Sequence, residues 1–122
     1  MIEATVFNNW CYGTSVKNLS ENNLNIGVFN PEGVGLLRDR DNIDLKVICL
    51  EANDKDRLLR QLNREKNPNC HEIIRRFTAD EADFSDDEID YLEPDMFVTN
   101  NEGADIHHLA QIIAQAWAKN LF

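Results

Sequence analysis

The sequence predicts an α/β fold. Three short apolar runs, at 24–29, 45–50 and 96–98, alternate with amphipathic segments of helix length. That alternation is the pattern of a buried parallel sheet with helices on its faces. The chain of 122 residues is 43% hydrophobic, enough length and apolar content for one domain, 1–122, with a sizeable core.

The elements follow in chain order. Tyr12-Gly13-Thr14 reads as a strand end, with Thr14 or Ser15 placed to cap a following helix. Leu24-Asn25-Ile26-Gly27-Val28-Phe29 is the first apolar strand, and it ends in the turn-like Asn30-Pro31-Glu32-Gly33. Leu45-Lys46-Val47-Ile48-Cys49-Leu50 is the second. A helix starts at Asn53-Asp54, where either side chain satisfies orphan amides, and its Leu58, Leu59 and Leu62 share a face. Another helix uses Ile73, Ile74 and Phe77. After the strand Met96-Phe97-Val98, the last helix begins beyond Gly103. It carries Ile106, Leu109, Ile112, Ile113, Ala116 and Trp117 at three- and four-residue steps, a wide stripe that implies packing on the sheet with Trp117 in the core.

Composition excludes several classes. No apolar run approaches the twenty or so residues of a membrane span, and the first residues lack the basic and apolar regions of a secretion signal, so the expected location is the cytoplasm. Cys11, Cys49 and Cys70 are odd in number and widely spaced, which points to reduced thiols rather than a disulfide framework or a zinc site. His71, His107 and His108 have no partner at metal spacing, and no metal or other cofactor is expected. A formal net charge of −10 argues against direct binding of nucleic acid or a membrane surface.

The charge is unevenly placed. Lys55, Arg57, Arg60, Arg64, Lys66, Arg75 and Arg76 crowd one helical hairpin, whereas 80–95 holds Asp80, Glu81, Asp83, Asp86, Asp87, Glu88, Asp90, Glu93 and Asp95 with no Lys or Arg. A run of like charge is ordinarily a solvated face. Its functional alternative is an acidic surface, Asp80 through Asp90, that docks on a basic protein groove. The arginines likewise have an ordinary reading, as helix-surface ion pairs with Asp56, Glu65 and Glu72.

Cys11-Tyr12-Gly13-Thr14-Ser15, with Glu3 nine residues before the tyrosine, resembles the base and phosphate pocket of guanylate kinase, a nucleoside monophosphate kinase. The order of later segments supports the likeness. Residues 24–29 lie where the family has a strand ending in an Asp-rich turn. Arg57-Leu58-Leu59-Arg60-Gln61-Leu62-Asn63-Arg64 and Glu72-Ile73-Ile74-Arg75-Arg76-Phe77 are similar to the two arms of its lid (54–84), and Asn100 ends a strand like the one beside the adenine. The resemblance implies a truncated guanylate-kinase-like three-layer sandwich, a short, mostly parallel sheet flanked by helices, in which 1–23 is a remnant of the monophosphate-binding subdomain. It covers about the C-terminal two thirds of a family member, because Met1 stands only eleven residues before Tyr12; the phosphate-loop strand would be missing. No Gly-x-x-x-x-Gly-Lys-Ser/Thr occurs, and Gly33-Val34-Gly35 cannot cradle a triphosphate.

By resemblance, Glu3 accepts from the guanine edge, Thr14 contacts the base and Tyr12 donates to the acceptor phosphate. Arg60 or Arg64 and Arg75 or Arg76 meet the donor phosphates. Asn30 replaces a base-reading carboxylate and so weakens the guanine preference. The expected function is therefore nucleotide binding by a degenerate guanylate-kinase-like protein without phosphoryl transfer of its own, since positioning and charge neutralisation around the donor are incomplete. Two alternatives stand beside it. One is an acidic inhibitor built on the same scaffold, such as a phage-encoded nucleic-acid mimic acting in the host cytoplasm on a basic nucleic-acid-binding protein; the other is one part of a split kinase. Losing a central strand would leave unpaired strand edges, which predicts a homo-oligomer or a protein partner unless the flanking strands close on each other.

Overall fold

The computed structural model describes the backbone of residues 3–7 and 10–14 and the whole of residues 24–121. The chain is α/β, with five helices and two separate two-stranded sheets among the described residues. It divides into two compact units, one drawn from Met1–Leu45 with Asp83–Leu92, the other formed by Lys46–Ala82 with Glu93–Phe122.

In the first unit, β1 (Glu3–Phe7) and β2 (Trp10–Thr14) pair antiparallel, Glu3 opposite Thr14 and Phe7 opposite Trp10. Helix α1 (Pro31–Arg38) lies beside β1 and α4 (Asp86–Leu92), and Leu37 and Leu92 are buried. The expected turn at 30–33 is instead the start of α1. Asn30 is its N-cap, its Oδ1 accepting from the Gly33 amide at 2.9 Å, and Pro31 occupies the first helical position, where a missing N–H costs nothing. Helix α4 rises from within the acidic run by the same local chemistry. Ser85 Oγ accepts from the Glu88 amide at 3.4 Å, and Asp86, Asp87 and Glu88 sit in the first turn, where negative charge suits the helix dipole.

The expected strand at 24–29 does not form. The segment is non-regular, with Ile26 88% and Val28 100% exposed. A strand exists only through a ladder to another strand, and the described strands pair β1 with β2 and β3 with β4.

The second unit is built on β3 (Ile48–Glu51) and β4 (Met96–Thr99), parallel, with Ile48 opposite Met96 and Glu51 opposite Thr99. Relative to the expected 45–50, β3 starts later. Val47 instead forms a clasp with Asp95, its amide donating to Asp95 Oδ2 at 2.7 Å while its carbonyl accepts from the amides of Asp95 at 2.8 Å and Met96 at 3.3 Å. Helices α2 (Asp54–Arg64), α3 (Cys70–Asp83) and α5 (Ile106–Ala118) accompany the pair. Val47, Ile73 and Val98 are the buried apolar residues of this unit. The stripe of α5 is not buried as expected: no residue of the helix is buried, and Trp117 is 39% exposed, outside the core. A parallel sheet is ordinarily covered on both faces, and two strands offer too little surface to bury a helix face of this width.

Candidate functional site

The carboxyl ends of β3 and β4 lie side by side, and each leads into a helix: β3 through Ala52-Asn53 into α2, β4 through 100–105 into α5. In open α/β sheets this is the edge at which ligands bind. Four side chains organise it. The Asn100 amide donates to the Glu51 carbonyl at 2.7 Å and extends the ladder by one bond. The Asn53 amide donates to Asn101 Oδ1 at 2.8 Å, and Asn53 Oδ1 accepts from the Asp56 amide at 2.8 Å as the N-cap of α2. Asp56, only 6% exposed, accepts the Glu102 amide on Oδ2 at 2.8 Å. Gly103, at φ +84°, makes the reversal that follows, a conformation that strains any residue with a Cβ. Asp105 then caps α5, accepting from the His108 amide at 3.2 Å. Asp56 is thus a tie between the first turn of α2 and the loop after β4, rather than the partner of an arginine.

Helix α2 starts at this edge, and α3 follows it through the connection 65–69, giving two helical arms. Arg57 binds Asp54 Oδ1 at 3.3 Å, and its guanidinium stands 4.6 Å from the centre of the Phe77 ring, linking the first turns of α2 to the middle of α3. Asn69 begins α3 by accepting the Glu72 amide on Oδ1 at 3.1 Å. The Glu72 carboxylate then takes a forked pair of bonds from Arg75, Nε to Oε2 at 2.9 Å and Nη2 to Oε1 at 2.5 Å, with Arg76 Nε 3.6 Å from the same Oε1. The Arg75 hydrogen bond is the main reason that the Glu72 carboxyl is held below the ordinary glutamate range, and the same bond raises the Arg75 guanidinium. Among the described residues, Arg60 and Arg64, one turn apart on α2, make no ion pair. Glu65, a predicted partner for the arginines, forms none either; it lies past the end of α2.

Of the remaining candidate residues, Asp80 and Glu81 belong to the second unit and the others to the first. Asn30 is used as the α1 cap. Glu3, Tyr12 and Thr14 fall on alternate rungs of the β1–β2 ladder, Glu3 opposite Thr14 and Tyr12 opposite Thr5; their side chains, and the proposed cap at Ser15, lie outside the described residues. The carboxylates of 80–90 decorate the end of α3 and all of α4, where Asp86, Asp87, Glu88 and Asp90 are exposed. A cavity of about 330 Å³ lies at the opposite, amino end of β4, between Asp95, Met96 and the last turns of α5, and includes no nominated residue. Cys49 is half-buried on β3, and burial, followed by the Glu51 charge, pushes its thiol up; Cys70 is exposed. Among the described residues no group of His, Cys, Asp and Glu could hold a metal ion, and no helix is long and apolar enough to cross a membrane.

Of the acidic partners expected for the arginines, Glu72 does form ion pairs, with Arg75 and Arg76; the parts that sequence reasoning missed are Asn101 and Asp56 as a loop anchor. The signal for Glu72 was present in its spacing of three and four residues from Arg75 and Arg76. The contacts of Asp56 and Asn101 join positions about fifty residues apart and leave no local trace. No family model, no curated protein and no solved structure matches the chain.

Proposed function

We propose that the chain is a degenerate guanylate-kinase-like protein that binds a purine nucleotide and does not transfer phosphate on its own. The supporting observation is helix α2, which follows β3 at the carboxyl edge of a parallel strand pair and carries Arg57, Arg60 and Arg64, with α3 and its Arg75 and Arg76 next in the chain. Cationic side chains on flexible stems are thereby carried beyond the edge at which α/β sheets hold ligands, and guanidinium groups suit phosphate oxygens. Asn100, at the end of β4, would supply the donor-base side of this edge; Glu3, Tyr12 and Thr14, in the first unit, are by the family resemblance a separate candidate for holding a monophosphate. The sequence has no glycine-rich loop with lysine to cradle the donor phosphates, so the arginines bind without completing the electrostatics of transfer.

Thermal unfolding with GMP, dGMP or ATP tests this. A ligand at a hundred times its Kd adds about 2.7 kcal/mol to the folded state, and at least one of the three is expected to raise the Tm. Glu3→Ala and Tyr12→Phe should each weaken GMP binding by about 1–3 kcal/mol. Unchanged melting with all three nucleotides would remove the reading. Steady turnover with ATP and Mg²⁺ that disappears in Arg75→Ala would refute the absence of transfer. A second reading, an acidic surface for a basic nucleic-acid-binding partner, is favoured by α4, whose exposed residues include four carboxylates and no Lys or Arg. Retention of the chain on such a partner, abolished by neutralising Asp86, Asp87, Glu88 and Asp90, would favour it.

A further inference from the structure

We propose that the cavity at the amino end of β4 binds a small zwitterion with an apolar body, an α-amino acid with an aliphatic side chain. The site is independent of the nucleotide reading, because it lies at the opposite end of β4 from the edge to which that reading belongs. Its volume of about 330 Å³ is at the lower end of the range for clefts that hold small molecules, about 300–1,000 Å³, which suits a single amino acid. The apolar walls follow from how α5 ends. Asn120 takes the left-handed conformation, φ 52°, and the amides of Asn120 and Leu121 donate back to the Trp117 and Ala116 carbonyls at 3.1 and 3.0 Å. This paired closure of a helix end turns the chain back on the last turn, and Leu121 thereby lines the cavity together with Ala116, Ile112 and Met96.

Two opposite charges stand among these walls. Asp95 is held by its clasp with Val47: Oδ2 accepts the Val47 amide at 2.7 Å, the Asp95 amide donates to the Val47 carbonyl at 2.8 Å, and Oδ1 has no partner among the described residues. Lys119, the C-cap of α5, makes no ion pair with Asp95 or with any other described carboxylate. Charges of opposite sign that share one small cavity without meeting each other are both answered by a zwitterion. An amine alone would satisfy Asp95 and be repelled by Lys119; a carboxylate alone would meet the reverse. In an amino acid the ammonium takes Asp95 Oδ1, the carboxylate takes Lys119, and the aliphatic side chain covers Met96, Ile112 and Ala116, which are half-buried. Asp95 and Lys119 are exposed, so each ion pair is weak, and burial of the ligand's side chain supplies most of the affinity.

The test is a titration with L-leucine at fixed ionic strength, read by NMR on the methyl groups of Met96, Ile112, Ala116 and Leu121. These signals are expected to shift saturably, and glycine, which lacks the apolar body, should leave them unmoved. Leucinamide keeps the ammonium without the carboxylate and N-acetylleucine does the reverse; each should bind about two- to fivefold more weakly than leucine, the range an exposed pair provides. Lys119→Gln, at an exposed position that makes no ion pair, should weaken leucine by the same factor without weakening leucinamide. Asp95→Asn keeps an acceptor for the Val47 amide and should weaken leucine without weakening N-acetylleucine. Ala116→Leu fills the cavity and should abolish the shifts. Methyl signals that do not saturate with leucine, or an affinity unchanged in both Lys119→Gln and Asp95→Asn, would each overturn the proposal. Leucinamide or N-acetylleucine binding as tightly as leucine would also overturn it, since one charged end of a peptide would then serve as well as a free amino acid.

Discussion

Asp56→Ala is expected to be among the most damaging single changes to the second unit, although it touches no apolar core residue. Asp56 is the buried charged residue of the described chain, and its Oδ2 is the acceptor for the Glu102 amide at 2.8 Å. Losing a hydrogen bond to a charged acceptor costs about 1.5–3 kcal/mol, toward the lower end here because Glu102 is exposed and water can reach its amide. Asp56 also stands in the first turn of α2, where a carboxylate favours the helix dipole by about 0.3–1 kcal/mol. The sum is about 2–3 kcal/mol, a large fraction of a small domain's stability. Asp56→Asn retains an acceptor oxygen and should lose about half as much. Asp54→Ala, two positions earlier in the same first turn but with its side chain 74% exposed, removes a surface pair with Arg57 and a solvent-screened dipole contribution, and should cost about 1 kcal/mol or less. Urea unfolding followed by Trp117 fluorescence in a Trp10→Phe background reports on the unit that contains Asp56. If Asp56→Ala and Asp54→Ala unfold at the same midpoint, the tie between α2 and the loop after β4 is not a stabilising element.

Three further outcomes follow from the same geometry. The Glu72 carboxyl, depressed chiefly by the Arg75 bond, contributes stability that is present above the ordinary glutamate range and lost as the pH falls through its lowered folded value; an NMR titration of its carboxyl carbon that centres at or above the ordinary range would contradict the fork. The Arg57–Phe77 contact should show a coupling of about 0.5–1 kcal/mol in a double-mutant cycle of Arg57→Ala and Phe77→Leu, and additive single effects would show that the arms are not joined there. A thiol reagent at neutral pH should modify exposed Cys70 well before Cys49, whose thiol is half-buried and raised; equal rates by mass spectrometry would place Cys49 at the surface.

The contrast between what was legible and what was not follows the range of the forces involved. Helix starts are set by contacts three residues apart, so Asn53 and the residues after Gly103 announced α2 and α5, and Ser85 with Glu88 carried a readable signal for α4 even though charge alone suggested a solvated stretch. The parallel pairing of β3 with β4 followed from two apolar runs separated by helices, and the arginines of the arms were visible as charge on helix-forming sequence. The sequence by itself determined these elements, the acid–base asymmetry and the absence of a phosphate-binding glycine loop.

Tertiary structure decided the rest. Whether 24–29 becomes a strand depends on a distant partner for its backbone groups, and apolar alternation carries no information about that partner. Trp117 and the α5 stripe are apolar at helical spacing whether or not a sheet is wide enough to cover them; a pair of four-residue strands is not. Which arginines are occupied was likewise a matter of geometry, since Glu72 could reach two of them and Asp56 was drawn instead to an amide 46 positions away. Local chemistry fixes where a helix begins, but burial and pairing are properties of two elements at once, and only the folded chain brings both to the same place.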